Sequence, residues 1–386
     1  MTRKFGKYKL FAAPRPAPQM ARRRDEIQTA RRALNSAGPA WRTLVPTLMG
    51  LLVAAMPSAA QINLGPVTVG AGLQFDYTHE QPTGGSETDT FSLDHARIYI
   101  SGPITDSISF MFNTDYDSTT NKIGVLDAVG QFTESPEFHL WVGRFLEPSD
   151  RANLYGPFYS NQWGPYNDGV QDGYPFIFQG RDNGVMYWGD FAKKIKVSAG
   201  AFDGKSSTGD PKVLVAARVQ VDFWDAEDGY YLNGTYYGDK NLLAIGGATQ
   251  VQSGHTASSI DFLLEKKLPN KGVVTIESEY TNYNRLGGYE AAYAKSQGAY
   301  GLGSYLFPKV VPIGKLNGKF QLLGKFAKAD FTHGATPSYD QKTTEVNFNY
   351  IIKEFKARVM TFYRDTRFNR EVKNFWQLGV GLQLQI

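Results

Sequence analysis

The residues able to do chemistry are spread along this chain rather than clustered. Its five histidines, His79, His95, His139, His255 and His333, show no metal-ligand spacing such as HExxH. Cysteine is absent, which removes disulfides, thiolate zinc sites and a catalytic thiol. No GxSxG, phosphate-loop or dinucleotide fingerprint opens a helix. A barrel-embedded hydrolase would need a Ser–His pair with a third group to orient it, and no segment brings such a set forward.

The informative side chains are charges at alternate positions of strand-like segments. Alternation points Arg97, Arg218, Lys319, Lys325, Lys356, Arg358 and Arg364 to one side, together with Asp261, Glu265, Glu277, Glu279 and Glu345. One long stretch adds Asp150, Arg151, Asp168, Asp172, Arg181 and Asp182. Charges lining a water-filled passage sort solutes by sign. The plainer reading is that any wet face collects both signs. The basic residues concentrate in 316–330 and 355–364, the acidic ones in 257–267, 272–282 and the long stretch. Such segregation would set a field across a passage.

The elements that must position these charges alternate with period two. In 66–78, Val67, Val69, Ala71, Leu73, Phe75 and Tyr77 oppose Thr68, Gln74, Asp76 and Thr78. At the C-terminus Trp376, Leu378, Val380, Leu382, Leu384 and Ile386 oppose Gln377, Gln383 and Gln385. Strands of about 9–11 residues cross a bilayer when tilted, one face to lipid and one to a polar lumen. Further segments fall near 91–102, 106–117, 122–133, 137–146, 183–190, 194–203, 212–223, 241–252, 257–267, 272–282, 297–307, 316–330, 341–352 and 355–364. These make sixteen. The aromatic run Gly229–Gly238 would make seventeen. Single-chain bacterial barrels have an even strand number, so 224–240 is read as a non-spanning connection on the short-turn side. The direction of Arg144, which shares parity with Leu140 and Val142, stays open. The expected fold is all-β, a sixteen-strand transmembrane antiparallel barrel over 61–386.

Glu147–Asp182 interrupts the pattern. It is rich in Pro, Gly, Tyr, Phe and Asp, with neither strand nor helix periodicity. A structureless stretch this long inside a compact domain implies a functional loop. Placed after the fifth strand, as the third external loop, it is expected to fold inward as a constriction, anchored by Tyr155, Phe158, Tyr159 and Trp163. An ordinary surface loop is the alternative.

The N-terminal 60 residues differ in kind. Arg31, Arg32 and Arg42 precede the apolar run Leu44–Met56, then Ser58 and Ala60, the order of a secretory presequence cleaved after Ala60. Its length leaves Met20 or a later methionine as a possible start. The run is too short to span as a helix. The chain has 41 Lys/Arg and 37 Asp/Glu; the first 60 residues hold 11 and 2, leaving 30 and 35 in 61–386, a formal charge of about −5. Nucleic-acid binding is not expected of that part.

The stretches FSLDHARIYISGPITDSISFMFNTDYD, VGRFLEPSDR, GRDNGVMYWGD and TYYGDKNLLAIG resemble the bacterial outer-membrane porins of the phosphate-selective O/P type. The resemblance covers most of 62–386. It implies a sixteen-stranded barrel in the outer membrane, usually a homotrimer among outer-membrane lipid, passively passing small hydrophilic or charged solutes, anions such as phosphate among them, with no cofactor and no enzymatic step. The arginine ladder of the namesake members has no residue-by-residue match here, and the acidic balance of 61–386 runs against it. A barrel-embedded enzyme and a plugged structural or adhesive barrel are the rival readings.

Overall fold

The computed structural model describes residues 62–386 other than 119–120, 172–179, 205–211, 287–292, 334–337 and 370–372. Its strands are β1 (Ile62–Leu64), β2 (Val67–Pro82), β3 (Thr88–Pro103), β4 (Ile108–Asp117), β5 (Lys122–Ser135), β6 (Phe138–Leu146), β7 (Arg181–Phe191), β8 (Ile195–Phe202) and β9 (Leu214–Asp222). The second half comprises β10 (Leu242–Gln252), β11 (His255–Lys267), β12 (Val273–Asn284), β13 (Tyr293–Ile313), β14 (Leu316–His333), β15 (Tyr339–Lys353), β16 (Ala357–Phe368) and β17 (Phe375–Gln385). β1 folds back on the start of β2 as a short antiparallel hairpin, pairing Ile62 with Val69 and Leu64 with Val67. From β2 to β17 each strand pairs antiparallel with the next, and β17 pairs back onto β2 from Phe375↔Pro82 to Gln385↔Gly72. The sheet is therefore a closed sixteen-strand barrel. Closure leaves no open edge, which is what a strand protein needs where backbone groups cannot meet water.

The period-two pattern decides the two faces. In β9, Leu214, Ala216, Arg218, Gln220 and Asp222 are buried inside while Val215 and Val219 are exposed outside. Ile98, Val142, Val185, Ile245, Ile260, Ile276, Leu322, Val346, Phe348 and Leu378 continue the exposed apolar band. An exterior of this kind suits hydrocarbon, and the buried polar interior does not. Turns suit their geometry: β10 and β11 are joined by Ser253 (φ 52°) and Gly254 (φ 81°), the positive-φ pair of a tight hairpin.

Gly229–Gly238 forms no strand, as the even count requires, and lies in the 223–241 connection between β9 and β10. Two boundaries move. Arg181 and Asp182 open β7 rather than closing the loop. Lys356 sits in the exposed turn before β16, not inside the lumen, because the strand starts one residue later. Arg144 has the outward parity of β6 and donates to Asn183 Oδ1 at 2.9 Å.

Candidate functional site

The stretch after β6 enters the barrel. It begins with one short helical turn, α1 (Arg151–Tyr155), capped by Asp150, whose carboxylate accepts from Asn153 N at 2.8 Å. A 3₁₀ turn, Pro157–Tyr159, follows. Every residue of α1 is buried, as are Phe158, Trp163 and Val170. A chain that leaves its strands must find partners for its backbone carbonyls, and the barrel wall supplies them in sequence order.

Gln250 Nε2 donates to Pro148 O (3.1 Å), Arg218 to Ser149 O (3.1 Å) and Gln74 to Pro157 O (3.1 Å). Arg358 donates to Phe158 O (3.1 Å) and Ser160 O (2.6 Å), and Gln383 also donates to Phe158 O (3.0 Å). Arg364 holds Trp163 O at 2.9 Å and Lys325 holds Pro165 O at 3.3 Å. Gln341 reaches Asn167 O (3.2 Å) and Thr281 reaches Val170 O (2.8 Å). The loop's donors go to the acidic strand: Tyr155 OH to Glu277 (2.8 Å), Ala152 N to Glu279 (3.2 Å) and Gln171 to Glu279 (2.7 Å). Donor-rich wall thus meets carbonyls, and acidic wall meets donors.

Packing completes the attachment. A Cβ on Gly381 would lie 2.5 Å from the Trp163 ring, and one on Gly72 would lie 2.8 Å from Phe158. These two wall positions stay glycine so that the rings can approach the sheet. Arg97 stands 4.8 Å from the Phe158 centroid. Tyr159 departs from the expected anchoring set: it is 36% exposed and touches Phe355 by its edge.

A second segment, unseen as a lumen element in the sequence, meets the first from the opposite rim. Within 223–241, Leu232 N donates to Leu154 O (3.3 Å) and Gly234 N to Tyr159 O (2.9 Å). Arg151 donates to Glu227 at 2.9 and 2.5 Å, and both side chains are fully buried. Tyr230 and Leu232 join Trp141, Phe145, Leu154 and Trp188 in one apolar cluster. Tyr236 OH reaches Glu227 at 2.8 Å, while Glu265 accepts from Thr235, Tyr236 and Gly238. Burial alone would raise the Glu227 carboxyl, but the Arg151 guanidinium holds it below the ordinary range. Burial pushes Asp150 up to about 6, against the pull of its bonds from Asn153.

Of the charges nominated from sequence, Asp168 pairs with Lys325 at 2.5 Å, and Arg364 with Glu345 at 2.7 Å. Arg97 pairs with Asp115 (2.9 Å), Arg218 with Asp261 (2.5 Å), and Arg181 with Asp127 (3.3 Å). Asp182 accepts from Gly204 N at 2.5 Å. Asp150 caps α1, with the wall cation Arg218 close enough to act on its carboxylate, and Arg358 meets carbonyls rather than carboxylates. Lys319 is half-buried near the short-turn rim. Asp172 lies outside the described residues. Sequence reasoning missed the amides Gln74, Gln250, Gln321, Gln341 and Gln383, though their inward parity was available. It also missed Glu227, which carries no periodic signal.

No protein-family model matches the chain, and no curated protein matches it. Solved structures do. Salmonella typhi OmpF, in complex with daunomycin, aligns with TM-score 0.55 at 13% identity, over 85% of this chain and 100% of that one. The anion-selective porin from Comamonas acidovorans aligns with TM-score 0.53 at 11% identity, over 83% and 99%. The outer membrane channel DcaP of Acinetobacter baumannii gives TM-score 0.53 at 11% identity, over 86% and 100%. The fold is that of the outer-membrane porins. At these identities the likeness is to porins in general, and it does not single out the phosphate-selective type.

Proposed function

We propose that residues 61–386 form an outer-membrane porin, a passive diffusion channel for small hydrophilic solutes with no enzymatic step, narrowed by 147–182 and released from a presequence ending at Ala60. The observation that carries this reading is a loop entering the lumen of a porin-type barrel, fastened to the wall from Pro148 to Gln171. Inward side chains remain half-buried mainly along β3–β5, as at Ser92, Asp94, His95, Tyr99, Met111 and Gln131, whereas those of β9, β12, β14 and β15 are buried. We place the passage between the loop and the β3–β5 wall. A homotrimer is part of the proposal; one of the similar structures, OmpT of Vibrio cholerae, is described in a trimer form, with TM-score 0.52 at 13% identity.

Phosphate selection is not part of it. Arg97, Arg151, Arg181, Arg218, Lys325, Arg358 and Arg364 are each bound to a carboxylate or a loop carbonyl. Cations so engaged offer little free charge to a solute. A second reading, a plugged structural or adhesive barrel, is favoured by the meeting of 147–171 and 223–241 inside the lumen. Reconstitution in planar bilayers separates the two: stepwise conductance supports the channel, and bilayers that stay silent with folded protein support the plug.

A further inference from the structure

Apart from the long 223–241 connection, which carries the exposed Asp225, Asp228 and Asp239, the short-turn rim divides into unlike halves. The connections β11–β12, β13–β14 and β15–β16 and the strand ends beside them carry Lys266, Lys267, Lys271, Lys309, Lys315, Lys353 and Lys356, all exposed, against the single carboxylate Glu354. At β3–β4, β5–β6 and β7–β8 the corresponding residues are Asp106, Glu134, Glu137 and Asp190 against Lys193 and Lys194. None of the seven lysines forms an ion pair with a described residue. Lys266 Nζ lies 4.9 Å from the Trp224 ring centroid.

The β13–β14 hairpin also runs past its neighbour. β12 ends its pairing at Val273↔Leu306, whereas β13 and β14 continue to Ile313↔Leu316. The extension exposes Phe307 (40%), Val310 (50%) and Ile313 (50%) among its lysines. Free ammonium groups interleaved with exposed apolar and aromatic side chains match the boundary between headgroups and acyl chains. There apolar bodies are buried, rings sit at headgroup level and long basic side chains reach phosphate. A soluble polyanion would satisfy the lysines and leave the apolar residues in water.

We propose that this half of the short-turn rim docks anionic phospholipid headgroups of the phosphatidylglycerol kind in the leaflet it enters. The inference rests on the membrane-spanning reading above; short turns place that leaflet on the periplasmic side. Each lysine near an anionic surface strengthens the attraction to anionic lipid by about fivefold.

The test uses the full barrel folded into phosphatidylcholine vesicles containing a minor fraction of phosphatidylglycerol, extracted gently and weighed by native mass spectrometry. Phosphatidylglycerol should be retained above its bulk share. The triple variant K309Q/K315Q/K353Q should lower that retention by about fivefold or more, while K193Q/K194Q leaves it unchanged. Equal retention in all three proteins, or no enrichment in the parent, overturns the proposal. So does a lysine-dependent affinity for soluble polyglutamate with no lipid enrichment. Failure to enter vesicles at all overturns the channel reading with it, whereas a conducting barrel without lipid enrichment overturns the docking alone.

Discussion

Arg151 and Glu227 join two connections that enter the barrel from opposite rims, through hydrogen bonds of 2.9 and 2.5 Å between side chains with no exposed surface. Arg151 opens α1, so the pair ties the start of the inward loop to 223–241. Breaking one partner of a buried pair costs about 3–5 kcal/mol when the other charge is left unmatched; here Asp261, 3.5 Å from Arg151, lessens that cost. Glu227→Gln should therefore lower the thermal midpoint of the folded barrel in detergent. Arg151→Met with Glu227→Leu should recover much of the loss. A double variant no better than the worse single variant would show that the pair does not act as a unit.

Asp150 gives a pH dependence of determinable sign. Its carboxyl is pushed from 3.8 to about 6 by burial. Between those values the folded state binds the extra proton, so this group's contribution to stability falls as pH rises through the window. Asp150→Asn keeps an N-cap acceptor and removes the titration. Thermal midpoints measured from pH 4 to 7 should show a smaller decline in the variant than in the parent; identical profiles would place the titration elsewhere.

The lipid face provides a third test. Leu382 lies on the outward side of β17 and Gln131 on the inward side of β5, the latter half-buried. An arginine facing mid-membrane hydrocarbon costs about 2–4 kcal/mol. Leu382→Arg should impair folding into vesicles, read by heat-modified gel mobility, while Gln131→Arg should fold normally. Gln383, the inward neighbour of Leu382, is a poor comparison because it already bonds Arg358, Gln74 and Phe158 O.

Glycine at the docking window makes a fourth. Gly381→Val would drive its side chain into the Trp163 ring. The barrel should still fold, with Trp163 displaced and the loop more open to protease. A variant in which cleavage within 147–171 stays as slow as in the parent would show that Trp163 does not fasten the loop.

Much of this was legible beforehand, for a physical reason. Period-two alternation reports which face meets lipid, so the strands, the inward parity of Arg218, Lys325, Arg358 and Arg364, and the exclusion of Gly229–Gly238 could be read directly. What alternation does not encode is which inward group meets which. Arg358 and Arg364 read as free pore charges, yet Arg358 donates to two loop carbonyls, and Arg364 to one loop carbonyl and to Glu345. The 223–241 connection carries Tyr230, Leu232 and Glu227 at no regular spacing, so nothing local announced its entry into the lumen. Lys356 was misplaced by one residue at a turn, where parity changes meaning.

The central claim is that 147–182 obstructs a conducting lumen. Single-channel recording of a variant lacking Asn153–Gly173, with the barrel shown to be folded, tests it most directly. Conductance should rise above the parent's, because the obstruction goes while the sixteen strands remain. Unchanged conductance and selectivity in that folded variant would contradict the account.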